Sequence, residues 1–118
     1  MQQSIDFTKD NLKMSQEHAN VLSLIKNNPK RYITRAEIVK ALNKDMTYYR
    51  RLNNVINELV TDFRLPIGSS SNLSRKGYFY CENEADFRHA EQTLISRIEG
   101  FENRLSVLRD IKSKALSK

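Results

Sequence analysis

The sequence predicts a mostly helical α+β fold: three helices, a small two-stranded hairpin and a long C-terminal helix. Three observations carry this expectation. Apolar residues recur at helical spacing in three stretches ahead of Arg64. The segment RLPIGSSSNLSRKGYFY, Arg64 to Tyr80, places two extended apolar stretches around a polar loop. Residues 84–116 then hold one long helical pattern. At 118 residues the chain suffices for one modest core and an appendage. Hydrophobic residues make up 39% and charged residues 29%, with only 3 Gly and 2 Pro, so the middle is composed to fold.

Each element has a local cause. SQEHANVLSLIKNN opens with Ser15 as N-cap and Glu17 in the first turn, repeats apolar groups at Val21, Leu22, Leu24 and Ile25, and stops before Pro29. This predicts a helix over 16–27. RYITRAEIVKALN contains a capping box, Thr34 with Glu37, each satisfying the other's backbone N–H. A short helix over 35–43 follows, burying Ile38, Ala41 and Leu42, with a brief strand at Tyr32 and Ile33 before it. Asn43-Lys44-Asp45 interrupts the pattern, and Asp45 caps a third helix running to about Phe63. RLPIGSS and GYFYC read as strands around the loop SNLSRK, with Tyr78 and Tyr80 on one face and Phe79 and Cys81 on the other. The domain layout is thus an N-terminal arm over 1–14, a folded domain over 15–82 and a separate C-terminal helix over 83–118.

The third helix separates into two faces when residues are counted at about 100° each. Tyr48, Leu52, Val55, Ile56, Leu59 and Phe63 share the core arc, whereas Thr47, Arg50, Asn54, Asn57 and Thr61 point outward, with Arg51 and Asn53 on the flanks. Arg bonds guanine O6 and N7, and Asn bonds adenine N6 and N7, in bidentate fashion, so an outward Arg/Asn row suits the major groove. Every amphipathic helix also has a polar face that is merely solvated. Three Asn at 53, 54 and 57, poor helix formers where Lys or Glu would serve solubility better, favour a site. Two helices joined by a three-residue turn, the second carrying this row, match a helix-turn-helix. Charge agrees. The net charge is +6, and residues 16–81 hold eleven Lys and Arg against five Asp and Glu while both ends are neutral. Concentrated cations attract polyanions, nucleic acid first, an acidic protein or membrane surface second.

Helix, helix, helix and hairpin is the order of the winged-helix DNA-binding domains, and residues 16–81 resemble that family. The stretch INELVTDFRLPIGSSSNLSRKGYFY, with its Asn-x-Leu helix end, Ile-x-Ser-Ser strand and Gly-Tyr return, carries the resemblance most specifically, and is similar to small winged-helix proteins of phages and mobile elements in low-GC bacteria. The resemblance implies that Thr47 to Asn57 form the recognition helix and that Asn72, Arg75 and Lys76 sit on the wing, whose tip approaches phosphates or the minor groove. Arg75 and Lys76 would then set affinity and salt dependence, and Arg50 and Asn54 specificity. Arg35 adds a backbone contact. Tyr49 stands at the edge of the buried arc, where it either packs or bonds a phosphate. A solvated loop is the plain alternative for the wing.

The C-terminal helix is capped by Asn83, with Glu84 and Asp86 near its start and Lys112 and Lys114 near its end, as the macrodipole favours. Leu94, Ile98, Phe101, Leu105 and Leu108 follow the four-three spacing of a coiled-coil seam, which Ala115 continues across Lys112. A helix over 84–116 would be about 50 Å long, more than so small a domain covers. Dimerisation through this seam is therefore expected, presenting two recognition helices to two half-sites. The alternative folds the helix back onto the first one, with Gly100 as the break.

Enzymatic chemistry is not expected. His18 and His89 lie far apart, one Cys with two His offers no zinc spacing, and IGSSSN is neither a nucleophile elbow nor a P-loop. No cofactor and no metal are implied. A lone Cys81, no apolar leader and no membrane-length apolar stretch point to a soluble protein of a bacterial cytoplasm. The expected function is specific duplex DNA binding by a dimer, in transcription regulation or replication-origin recognition. A host-protein partner, bound through the basic surface or the long helix, is the alternative.

Overall fold

The computed structural model of the chain describes residues 14–117; the expected arm over 1–14, save Met14, lies outside the described residues. The elements in chain order are α1 (Gln16–Lys26), α2 (Arg35–Ala41), a 3-10 turn (Met46–Tyr48), α3 (Tyr49–Thr61), β1 (Ile67–Ser70), β2 (Gly77–Tyr80) and α4 (Glu84–Leu116). This is the mostly helical α+β architecture expected, with one two-stranded antiparallel hairpin and a long terminal helix.

The predicted caps are in place. Ser15 Oγ accepts from the His18 N–H, Thr34 and Glu37 form the reciprocal capping box, and Asn83 Oδ1 accepts from the Asp86 N–H at 2.9 Å. Asn43 and Arg64, at φ 63° and 60°, end α2 and α3 in the left-handed conformation that a helix C-terminus commonly adopts. Two local expectations fail. Asp45 caps a 3-10 turn rather than an α-helix, its Oδ1 accepting from the Thr47 N–H at 3.0 Å, so α3 proper begins only at Tyr49. Ala41 is exposed because the buried arc of the short α2 is centred on Ile38 and Val39, with Leu42 half-buried at its edge.

The core joins Val21 and Ile25 of α1, Ile33, Ile38 and Val39, and Leu52, Val55, Ile56 and Leu59 of α3. Burial of each such aliphatic side chain stabilises by about 2 kcal/mol before entropy is counted. Ile67 and Tyr78 bring one face of the hairpin onto this core. The other face carries Phe79, fully buried between the rings of Tyr32 and His89, whose centroids lie 5.1 and 5.6 Å away. The brief strand at Tyr32–Ile33 survives as a single bridge, Ile33 to Tyr78. Gly77, at φ +123°, is required there: a Cβ would stand 2.4 Å from the Ile33 carbonyl oxygen.

The start of α4 lies over the outer face of the hairpin. Gly68 permits this approach, since a Cβ on it would fall 2.6 Å from the Ala90 Cβ. Asp86, 7% exposed, clamps the docking by accepting from the Arg31 guanidinium and from the Glu82 N–H at 2.8 Å. Arg31 takes up a left-handed backbone, φ 75°, to reach it. The first turns of α4 thus pack against the hairpin and Arg31. From Leu94 to Ser117 every residue is exposed, and α4 runs unbroken through Gly100, so it does not fold back onto α1.

Candidate nucleic-acid interface

The outward row of α3 is present. Arg50, Asn53, Asn54 and Asn57 are all exposed, because the helix commits Leu52, Val55, Ile56 and Leu59 to the core. Among the described residues neither Arg50 nor Asn54 has a side-chain hydrogen bond or ion pair, so both are free for an external ligand. Asn53 and Asn57 turn toward a cleft whose floor is Ser69 and Tyr78 and whose far wall is Ala90, Leu94 and Arg97 of α4. A second concavity adjoins it, bordered by Arg35, Ser70, Lys76 and the same Arg97.

Other predicted site residues are placed differently. Arg51 is held by Glu17, with its Nη2 2.6 Å and Nε 3.1 Å from the carboxylate, and so braces α3 against α1 rather than projecting freely. Thr47 belongs to the capped 3-10 turn, its hydroxyl and N–H both donating to Asp45. Tyr49 packs: it is half-buried against the core with the Arg35 guanidinium 4.4 Å above its ring, which fixes where Arg35 points. Asn72 shapes the wing by accepting from the Ser74 N–H at 2.9 Å and from its hydroxyl at 2.8 Å, an Asx turn. Arg75 and Lys76 extend from that turn, exposed.

The electrostatics divide the body. The acids of its α1, α2 and α3 helices that have a short contact are engaged away from the clefts: Glu37 pairs with Lys30 at 2.7 Å, and Glu58 shares a hydrogen bond with His18 at 2.7 Å. Glu17 is held down to about 2 by the Arg51 guanidinium and the Tyr48 hydroxyl, and Tyr48 is pushed up to about 12 by burial and by that carboxylate. Arg31 beside Asp86 likewise keeps that carboxyl below its ordinary range. By contrast, neither cleft is lined by a carboxylate, and Arg35, Arg50, Arg75, Lys76 and Arg97 form no ion pair among the described residues. Hydroxyls, amides and unpaired cations on one surface are the chemistry that binds phosphate oxygens and base edges.

Arg97 is the residue that sequence reasoning missed. It sits in the charge-neutral third of the chain, next to the seam residue Ile98, and only the docking of α4 brings it beside the wing. The remaining candidates for chemistry are structural. His18 bridges Ser15 and Glu58, His89 packs on Phe79, and Cys81 is buried, with burial pushing its thiol up. Among the described residues no three His, Cys, Asp or Glu are grouped to hold a metal ion, and no helix is long and apolar enough to cross a membrane. Dimerisation candidates Leu94, Ile98, Phe101, Leu105 and Leu108 are 57, 54, 62, 46 and 56% exposed, one apolar strip that none of the described residues covers. No protein family, no curated protein and no solved structure matches the chain.

Proposed function

We propose that the chain binds a specific site on double-stranded DNA as a winged-helix dimer, in the control of transcription or at a replication origin of a phage or mobile element, inside the host cytoplasm. It is a binding protein and not an enzyme. The observation that supports this best is the pair of adjoining clefts, neither lined by a carboxylate, that Asn53 and Asn57 of α3 form with the hairpin, Arg35, Lys76 and Arg97. On this reading α3 enters the major groove, where Arg50 and Asn54 read base edges, while Arg35, Arg75, Lys76 and Arg97 hold phosphates. The paired α4 helices join two such bodies.

Selection from a random duplex library tests it. An enriched inverted repeat is expected, and Arg50→Ala should relax one base position at a cost of about 1–3 kcal/mol. Arg75→Ala with Lys76→Ala should instead weaken all duplexes alike and flatten the salt dependence by up to about two units of slope. No enrichment by the wild-type protein would refute specific DNA binding.

A further inference from the structure

We infer that α4 pairs with the α4 of a second copy in antiparallel orientation, with the two-fold axis passing between Leu105 and Leu108. The inference deepens the dimer proposed above and rests on it. The orientation of the pair follows from what each arrangement would place opposite its charges.

The four-three spacing sets Ile98, Leu105 and Lys112 on one line of the seam and Leu94, Phe101, Leu108 and Ala115 on the other. In a parallel pair like faces like, so Lys112 meets Lys112 of the second copy inside the seam. On the flanks Arg97 meets Glu102, but Arg104 meets Arg109, twice over. A parallel pair therefore carries three like-charge contacts. The antiparallel register centred between Leu105 and Leu108 carries none within residues 95–117. Leu105 faces Leu108, Ile98 faces Ala115, and the Lys112 stem runs along Phe101. On one flank Glu102 faces Arg109 twice over and Ile95 meets Leu116; on the other Arg104 lays its stem along Ile111.

Exposure agrees with that register. Ile95, Ile111 and Leu116 lie off the narrow strip yet are 43, 55 and 76% exposed, and the antiparallel pair sets Ile95 against Leu116 and Ile111 against the Arg104 stem. The length fits as well. Centred there, the overlap of the two helices ends near residue 96, where α4 leaves the globular body at Arg97 and the wing. Shifting the axis by half a heptad towards the body drives the partner's end into the docked stretch around Ala90 and sets Glu102 against Glu102 and Arg104 against Arg104. Shifting it the other way sets Arg109 against Arg109. In the favoured register the two bodies leave the seam about 32 Å apart, at opposite ends.

Sedimentation equilibrium of the full chain and three charge variants decides the matter. Glu102 and Arg109 are exposed surface residues, so their replacement leaves the body intact. Arg109→Glu should weaken the antiparallel dimer at least about tenfold, because it opposes Glu102, whereas it would tighten a parallel dimer by relieving Arg104. Glu102→Arg should weaken it as much, and the double exchange should restore wild-type association. Tightening by Arg109→Glu overturns the orientation and leaves the dimer standing. A wild-type chain that stays monomeric at about 100 μM overturns the pairing altogether, while DNA selection reports separately on the interface.

Discussion

The helices of the globular body and the free two thirds of α4 are stabilised by different means. In the body, short helices of 7 to 13 residues persist because each buries one face in a common core. Beyond Leu94, α4 keeps its helix with no side chain covered, on propensity, i,i+4 pairs such as Asp110 with Lys114, and continuity with a docked first third. Helix formation is thus uninformative about which residues are satisfied. Only burial distinguishes a finished surface from one awaiting a partner.

The largest expected blow to that contrast falls on the body alone. Gly77→Ala would force a Cβ against the Ile33 carbonyl at a left-handed backbone position, a cost of about 3 kcal/mol that thermal unfolding should report as a fall in Tm exceeding about 10 °C. Asp86→Ala should follow at about 2 kcal/mol, since it strands the half-exposed Arg31 and unhooks the first turn of α4. Thermal unfolding with amide exchange around Ala90 would show both effects. Leu105→Ala acts on the other region: it should loosen the seam by about 2 kcal/mol in sedimentation while the Tm of the dilute monomer stays put.

Acid offers a gentler probe. Glu17 titrates near 2 in the fold against an ordinary value of 4.5, so its contribution is complete above pH 4.5 and fades as pH falls toward 2. Glu17→Gln should therefore lose less Tm than wild type between pH 5 and pH 2.5. At the small end, Gly100→Ala should stabilise α4 by about 1 kcal/mol or less, because a methyl there meets open space. A larger gain would mean that the helix frays at Gly100.

Much of the body could be read from the chain because its causes are local. Ser15, Thr34 with Glu37, and Asn83 mark three helix starts by hydrogen bonds that span three residues, and the period of Leu52, Val55, Ile56 and Leu59 marks the core face of α3. Three misses involve distant partners. Arg51 looked like a flank of the outward row, but Glu17, 34 residues earlier, claims it. Asp86 looked like a dipole residue, but Arg31 lies 55 positions back. Arg97 joins the wing only because Gly68 lets α4 lie close to β1, a fit that no periodicity encodes.

That closeness has a mechanical corollary. Because α4 is one stiff rod from its capped start to Leu116, the Gly68–Ala90 contact acts as its fulcrum. A tilt of about 5° there swings the far tip by about 3 Å over the roughly 39 Å between Ala90 and Leu116, enough to unseat a side chain from its neighbour. Strain arriving at the hairpin would thus be amplified at the distant end of the rod, and clamping that end would in turn steady the orientation of the wing.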